Sequence, residues 1–252
     1  MPLLARPTSR PPRPHRKPAF APPPMAMLGA GVEVIIADAP VTALPDGALW
    51  IADAKTLVVS DLHLEKGSAF ALGGQMLPPY DTHATLSKLA ALMDTLAPDI
   101  VVSLGDSFHD GGGPARMDAE DRARLHGLIA RADWIWIEGN HDGRAPETLG
   151  GALRETLQIG ALVLRHEPGG AANEVAGHLH PCARVAGRGR SVRRRCFATD
   201  GARLIMPAFG AFTGGLNVCG EAFAGIFSGG FTALVLAKDC VLPVAQERLL
   251  GD

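Results

Sequence analysis

Residues 57–63, LVVSDLH, place an aspartate and a histidine directly after a run of apolar, mostly β-branched residues. The same arrangement recurs in residues 100–109, IVVSLGDSFH, and residues 134–141, WIWIEGNH, place an asparagine and a histidine after such a run. Short apolar runs of this kind predict buried strands. Polar residues that follow successive parallel strands meet at one edge of a sheet, where α/β proteins build their active sites. The chain is therefore predicted to be an α/β protein with a polar site at such an edge.

Further along, His166 follows the apolar residues 162–164, and the stretch GHLH contains His178 and His180. Together the five segments hold six of the nine histidines of the chain. Each segment alone has a simpler explanation, such as a turn or a structural histidine, but chance placement of all six is improbable. His178 and His180 are spaced so that each could serve a different metal ion.

The residue types favour a pair of divalent cations. Two cations about 3.5–4 Å apart can hold a phosphate and activate a water for in-line attack, given a bridging carboxylate. Asp106 follows a glycine and is the candidate bridge, while Asp61 and His63 can both face one ion. Asn140 offers a neutral oxygen ligand. Oxygen and imidazole donors without thiolate favour manganese, with iron or zinc as alternatives, in a catalytic role.

The composition predicts one large domain. Of the 252 residues, 47% are hydrophobic and 20% are charged, which is typical of globular proteins. Residues 1–24 contain nine prolines and five basic residues but no acid. Because the net charge of the whole chain is −2, the net charge of the remaining residues is −7. We expect a disordered Pro/Arg-rich segment over residues 1–27 and a single domain over residues 28–252. The segment is either a dispensable extension of a chain that starts at Met25 or Met27, or a basic arm that attracts polyanions.

The spacing of the cysteines and the length of the apolar stretches indicate the cellular compartment of the protein. The four cysteines form no CxxC pair, which favours reduced thiols and the cytoplasm. The longest apolar stretch, residues 222–237, is interrupted by glycines and is shorter than the roughly 20 residues of a membrane span. No association with a membrane is expected.

Strands and helices alternate in the first half of the predicted structure. One helix is expected to begin after Asp81 as its N-cap and to end before Pro98, and a second to begin at about Met117. Short strands dominate after Leu153, so two sheets packed face to face with helices outside are predicted. The strands are expected at residues 32–36, 48–51, 56–60, 100–104, 134–137, 162–164, 174–176, 192–198, 204–206 and 231–236.

The order of these motifs over residues 61–180 resembles the calcineurin-like metallophosphoesterase superfamily. That resemblance implies a four-layer α/β/β/α sandwich. It also implies one metal site made of Asp61, His63, Asp106 and His180. The second implied site consists of Asp106, Asn140, His166 and His178. By the same resemblance, His141 contacts the scissile phosphate and Asp142 orients His141.

The subfamily is indicated by residues 105–111, GDSFHDG. Protein phosphatases of the superfamily carry Gly-Asp-x-x-Asp-Arg-Gly there, whereas Phe108-His109 is similar to the repair nucleases. Residues 61–67, 77–81 and 207–212 resemble the bacterial ligase-associated DNA damage response endonucleases. This resemblance implies a dinuclear metal-dependent phosphodiesterase that acts as an endonuclease on single-stranded DNA in repair, linked with a DNA ligase, a helicase and an exonuclease-like protein. His109 is the third candidate catalytic residue, and it either assists the leaving oxygen or only holds the shape of its loop through a hydrogen bond to the loop or to Asp110.

The sequence also allows two alternative functions. A small-molecule or nucleotide phosphodiesterase with the same site fits the acidic body of the protein. A non-catalytic scaffold is opposed by the complete set of ligand residues. One basic cluster is either a nucleic-acid contact or a solvated loop, and consists of Arg188, Arg190, Arg193, Arg194 and Arg195.

Overall fold

The computed structural model of the protein describes residues 25–28, 30–187 and 189–252. Residues 1–24 of the segment expected to be disordered, and Arg188 of the basic cluster, lie outside the described residues. The first described strand begins at Met25.

The described residues form a first sheet of eight strands in chain order, with its second half parallel. Its strands are β1 Met25–Leu28, β2 Gly31–Ile36, β3 Ala39–Ala43, β4 Leu49–Ile51, β5 Thr56–Val59, β6 Ile100–Leu104, β7 Asp133–Ile137 and β8 Ala152–Arg154. The helices between β5 and β7 are α1 Lys66–Leu72, α2 Asp81–Leu96, α3 Gly113–Arg116 and α4 Ala119–Ile129. Helical crossovers let β5, β6 and β7 run parallel, so their carboxyl ends share one edge.

The second sheet follows in the chain and has nine strands within the described part. They are β9 Thr156–Ile159, β10 Leu162–Arg165, β11 Glu174–Ala176, β12 Pro181–Gly187, β13 Arg190–Thr199, β14 Leu204–Ile205, β15 Leu216–Asn217, β16 Thr232–Leu236 and β17 Val241–Ala245. The spatial order is β15-β12-β13-β14-β11-β10-β9, with β16 pairing β13 and β17. The long strand β13 pairs β12 along residues 190–195, and pairs β16 along residues 196–199.

Three apolar layers hold these elements together. Val58 and Val102 of the first sheet pack against Phe197 and Leu234 of the second, which makes the central layer. The opposite face of the first sheet packs on the helices, and the outer face of the second sheet packs on the segment 218–231. The predicted α/β fold with two packed sheets is confirmed.

The outer layer on the second sheet differs from the implied helical one. Among the described residues it contains the short 3-10 turn Glu221–Phe223 and irregular chain rather than an α-helix. Glycines at 220, 225, 229 and 230 explain the difference, because each glycine destabilises a helix interior by about 1 kcal/mol. No helix in the described ranges has the length and apolar character that crossing a bilayer requires.

Two helix starts also differ from prediction. Asp81 is the first residue of α2 rather than its cap, because its carboxylate accepts a hydrogen bond from the Gly67 amide, at 3.1 Å. The second predicted helix is two helices, and α4 is capped by Asp118, whose side chain accepts from the Asp121 amide at 2.8 Å. Helix α1 was not predicted.

One arginine of the basic cluster has a structural role. The half-buried guanidinium of Arg195 donates to the carbonyl oxygens of Ala208, Gly210 and Thr213 at 3.0, 2.7 and 3.0 Å. The same loop contacts the end of β5, because the Phe209 amide donates to the Ser60 carbonyl at 2.7 Å. Arg195 therefore fixes the loop 207–213 beside the first acid-histidine pair and is unavailable to a nucleic acid.

We predict that Arg195→Ala lowers the free energy of unfolding by about 2–3 kcal/mol, since several carbonyl groups lose a charged donor. Urea denaturation followed by circular dichroism measures the change. Arg194→Ala is the matched control, because that side chain is exposed and should change stability by less than about 0.5 kcal/mol. Equal, small effects of both substitutions would contradict the structural role of Arg195.

Candidate metal centre

All seven predicted ligand residues meet where strands of the two sheets end. Asp61, Asp106 and Asn140 follow β5, β6 and β7 of the first sheet. From the second sheet come His166 after β10, His178 after β11 and His180 immediately before β12. The site therefore lies across the edges of both sheets and exists only when they are packed together.

A first cluster joins Asp61, His63 and His180. The Nε2 atom of His180 lies 3.1 Å from the Asp61 carboxylate and 3.4 Å from the Nε2 atom of His63. Asp61 and His63 are buried, and the His180 side chain is 19% exposed. One carboxylate and two imidazoles thus face a common point.

A second cluster joins Asp106, His166 and His178. The Nε2 atom of His166 lies 3.4 Å from the Asp106 carboxylate and 3.2 Å from the Nδ1 atom of His178. The side-chain oxygen of Asn140 is 3.0 Å from the same His166 nitrogen. Asp106 also lies 3.9 Å from His63, so its carboxylate sits between the two clusters.

A third group of nitrogens lies at the open rim of the site. His63, His109 and His141 each place a ring nitrogen within 4.8 Å of the others. The rings of His109 and His141 are stacked, with centroids 5.7 Å apart at 30°. The His141 side chain is 42% exposed, so this group opens to solvent. Sequence reasoning placed His109 and His141 in the site but did not anticipate that His63 joins them.

Hydrogen bonds orient the rings and carboxylates. His166 Nδ1 lies 3.0 Å from the Leu104 carbonyl, and donation there leaves its Nε2 lone pair facing the cluster. The His178 amide donates to Asp61 at 3.1 Å, and the His141 amide donates to Asp106 at 3.0 Å. The backbone amides of His178 and His141 therefore position the carboxylates of Asp61 and Asp106.

Ser60 is a contributor that sequence reasoning missed. Its hydroxyl is buried and donates to the Asp61 carboxylate. The only sequence signal is its place at the end of an apolar strand, directly before a candidate ligand.

The backbone is unusual at the ligands. Five of the seven adopt positive φ angles, in a region that few residues other than glycine adopt: Asp61 at 52°, His63 at 43°, Asp106 at 45°, His178 at 68° and His180 at 46°. Such conformations cost of order 1–3 kcal/mol each and cluster at functional sites.

Three glycines permit the close approach of the ligand segments. A Cβ atom on Gly105 would overlap the ring of His166, and one on Gly139 would overlap the main-chain nitrogen and the carboxylate of Asp106. A Cβ atom on Gly177 would lie 2.6 Å from the Asp61 carboxylate. In these three motifs the glycine before the ligand therefore makes room for a ligand of another motif.

The charges of the site are set by burial and by each other. Burial lowers the pKa of His63 to about 4, against the attraction of Asp61. Burial also opposes charge on His166 and Asp106, but their hydrogen bond and mutual attraction outweigh it. The pKa of His166 is thereby raised to about 9, and that of Asp106 is lowered to about 2. A cation that binds His166 must consequently displace a proton.

The donor set fits divalent cations. In each cluster two ring nitrogens face one another, at 3.4 Å in the first and 3.2 Å in the second. Once the proton on His166 is displaced, a cation between the facing nitrogens of either cluster would accept both lone pairs together with a carboxylate oxygen. Mixed imidazole and oxygen donors suit manganese, iron and zinc.

Asp142 contacts a different group from the one expected. Its buried carboxylate accepts a hydrogen bond from the Phe108 amide at 2.9 Å, and burial raises its pKa to about 6. The His141 ring is instead oriented by the His109 carbonyl, 3.1 Å from its Nδ1 atom. Asp142 therefore fixes the loop that carries His109 and Phe108 rather than the His141 ring, because its side chain points into the protein.

Comparisons with known proteins bear on the family and the fold of the chain. The family model of the calcineurin-like phosphoesterases matches residues 54–202. Among solved structures, a nuclease from Pseudomonas putida, MPE, is 25% identical with a TM-score of 0.65, covering 85% of this chain and 100% of its own. The phosphoesterase Yfce from E. coli is 16% identical, with a TM-score of 0.39 and coverage of 75% and 98%. A comparison with curated protein sequences found no match.

We predict that Gly139→Ala weakens metal binding by about 10–100-fold, because the new methyl group displaces the Asp106 segment. Metal titration of the metal-free protein by calorimetry measures the loss. Gly111→Ala serves as control, because a Cβ atom there meets nothing within 4 Å. Unchanged affinity in Gly139→Ala would show that the close approach at Gly139 is unimportant for the site.

Proposed function

This chain belongs to the calcineurin-like phosphoesterase family, and we propose that it is a dinuclear phosphodiesterase that cuts single-stranded DNA internally. Membership makes it a hydrolase of phosphoester bonds. The observation that carries the finer proposal is the rim of His63, His109 and His141 beside two clusters, with the Asp106 carboxylate between them. The similarity to a nuclease over 85% of the chain supports a nucleic-acid substrate.

We propose two divalent cations, most favourably manganese, as the cofactor. The first would be held by Asp61, His63, Asp106 and His180. The second would be held by Asp106, Asn140, His166 and His178. Bound cations supply Lewis-acid polarisation of the phosphate and lower the pKa of a water molecule.

His141 is proposed to contact the scissile phosphate. Its ring is anchored through Nδ1 to the His109 carbonyl, while Nε2 lies 3.9 Å from Asp106 and its side chain is 42% exposed. The ring is thus fixed in direction yet accessible to a substrate. A protonated Nε2 would donate to a phosphate oxygen as negative charge grows there in the transition state.

His109 is proposed to act on the leaving group. The oxygen of water bonds to phosphorus as the water gives up a proton to solvent, one bridging P–O bond breaks, and the departing sugar oxygen takes up a proton from solvent. Burial and the nearby Lys66 lower the pKa of His109, so a neutral ring contributes one N–H. That N–H would form a hydrogen bond to the departing oxygen and stabilise its charge.

A small-molecule or nucleotide diester is the second candidate substrate. Beside Asn140 and His166 lies a cavity of about 350 Å³ that is also lined by Glu138, Glu155, Arg165 and Glu167. This volume is within the range of small-ligand sites, and its acidic lining would repel a neighbouring phosphate of a polymer. A non-catalytic scaffold is disfavoured because all seven ligand residues are present and close together.

We also propose a cellular location and functional partners for the protein. The cytoplasm fits four cysteines that all remain free in the structure. The motifs shared with the ligase-associated endonucleases support a functional link with a DNA ligase, a helicase and an exonuclease-like protein.

The function is tested by adding single metals to the metal-free protein. We expect manganese to restore cleavage of circular single-stranded DNA, which has no ends and therefore reports internal cutting. The Asp106→Ala variant, prepared identically, should be inactive and excludes a contaminating nuclease. Hydrolysis of nucleotide diesters without cutting of the circle would favour the second candidate. Inactivity on every diester with every metal would favour the scaffold.

The role of His109 predicts a dependence on the leaving group. His109→Ala should slow DNA cleavage by about 100-fold and leave bis(p-nitrophenyl) phosphate hydrolysis nearly unchanged, because an aryl oxide leaves without assistance. The kcat values on both substrates measure this. His141→Ala is the contrasting variant and should lose activity on both. Equal losses on both substrates in His109→Ala would contradict leaving-group assistance.

A further inference from the structure

Helix α1 places an aromatic ring beside the histidine rim. The centroid of the Phe70 ring lies 5.4 Å from that of His109, and His109 in turn lies 5.7 Å from His141 and 5.8 Å from His63. The four rings form a continuous path from the metal clusters to the surface of α1. None of the roles proposed above requires Phe70.

The surroundings of Phe70 suit a ligand with both a flat apolar part and a negative charge. Phe70 is only half-buried, and Lys66, one helical turn earlier, places its ammonium 5.7 Å from the ring centroid. The chain that follows exposes further apolar side chains: Leu72 by 77%, Met76 by 86% and Tyr80 by 67%. A group of exposed apolar side chains next to a catalytic site is typical of a binding surface.

The helix that carries Phe70 is firmly attached. Arg116 donates to the Ser68 hydroxyl at 3.0 Å and to both oxygens of Asp110 at 2.9 and 2.8 Å. The buried Glu65 accepts from Ser68 at 2.7 Å and from Thr82 at 2.9 Å. The ring is therefore held in a fixed position relative to His109, which is next to Asp110.

We propose that Phe70 stacks on the nucleobase adjacent to the scissile phosphate, with Lys66 at the neighbouring backbone phosphate. This inference rests on the proposed action on DNA and deepens it. A phosphate at the clusters would leave an adjacent base within reach of the Phe70 ring. Stacking needs an exposed base face, which single strands offer and a duplex does not, and every base has such a face. The ring would thus select single strands without selecting sequence.

The competing explanation is that Phe70 only supports His109 by packing. The two explanations differ in their dependence on the substrate base. If the ring stacks on a base, removal of that base and removal of the ring abolish the same contact, so the second removal adds little. If the ring supports His109, its removal slows cleavage whether or not the base is present.

The experiment uses an oligodeoxynucleotide with one phosphodiester among phosphorothioate linkages, with the base on either side of that linkage present or replaced by an abasic residue. For the wild type with manganese, we expect removal of one flanking base to lower kcat/KM by about 10-fold or more. On the intact strand, Phe70→Leu should lower kcat/KM to the same extent as removal of the base does for the wild type. On the abasic strand, kcat/KM of Phe70→Leu should be close to that of the wild type. Phe70→Tyr should keep the dependence on the base.

Phe227→Leu is the matched control, because Phe227 is also half-buried but packs on the outer face of the second sheet. It should retain the wild-type response to base removal. Equal losses of Phe70→Leu on intact and abasic strands would overturn the stacking proposal while the wild type remains active on DNA. A wild type that cleaves aryl diesters but no oligodeoxynucleotide would overturn the proposed function, and the stacking proposal with it.

Discussion

The structure depends on holding two buried carboxylates, Asp61 and Asp106, side by side between packed sheets. Ionised carboxylates in such a position repel each other and are poorly solvated, so each requires donors or cations around it. The protein provides the Ser60 hydroxyl, the amides of His178 and His141, and the ring of His166. The remaining oxygen lone pairs face the imidazoles of the two clusters. This demand for compensating charge is what makes the site a cation site.

Most other features position these two groups. The parallel pairing of β5 and β6 brings Asp61 beside Asp106, and the pairing of β10 with β11 brings His166 beside His178. The loop 207–213, fixed by Arg195, donates the Gly210 amide to the carbonyl oxygen of Asp61 at 3.2 Å. Asp142 lies in the interior of the protein, where its carboxylate fixes the loop that follows Asp106. Four ligand residues follow strands of the first sheet and three adjoin strands of the second, so neither sheet alone brings the ligands together.

Much of this could be predicted from the sequence because the ligand motifs follow strongly apolar strands. Strand ends that meet at one edge are enough to bring Asp61, Asp106 and Asn140 together, and the spacing of His178 and His180 anticipates their separation into different clusters. Contacts that depend on side-chain direction were beyond prediction. Asp142 is next to His141 in the chain, but its carboxylate points toward Phe108. Arg195 is next to Arg194, yet lies on the opposite face of β13 and is half-buried under the loop it fixes.

The second outer layer and helix α1 illustrate a further limit. Residues 66–72 are too few to show helical periodicity, and α1 depends on tertiary contacts of Glu65 and Arg116. The apolar segment 218–231 covers a sheet face without regular structure, because its glycines oppose a helix. Tertiary packing therefore decides the conformation of α1, whereas in segment 218–231 the low helix propensity of glycine decides against a helix.

The distance along the chain between ligands has a consequence for biosynthesis. The His178 amide that binds Asp61 is 117 residues away from it. A ribosome therefore releases the whole first sheet before the His166 ring and the His178 amide, which are partners of Asp106 and Asp61, emerge. During that interval the inner face of the sheet is also uncovered. The nascent chain must remain protected from aggregation until the second sheet docks, and cation capture then marks the end of folding rather than its beginning.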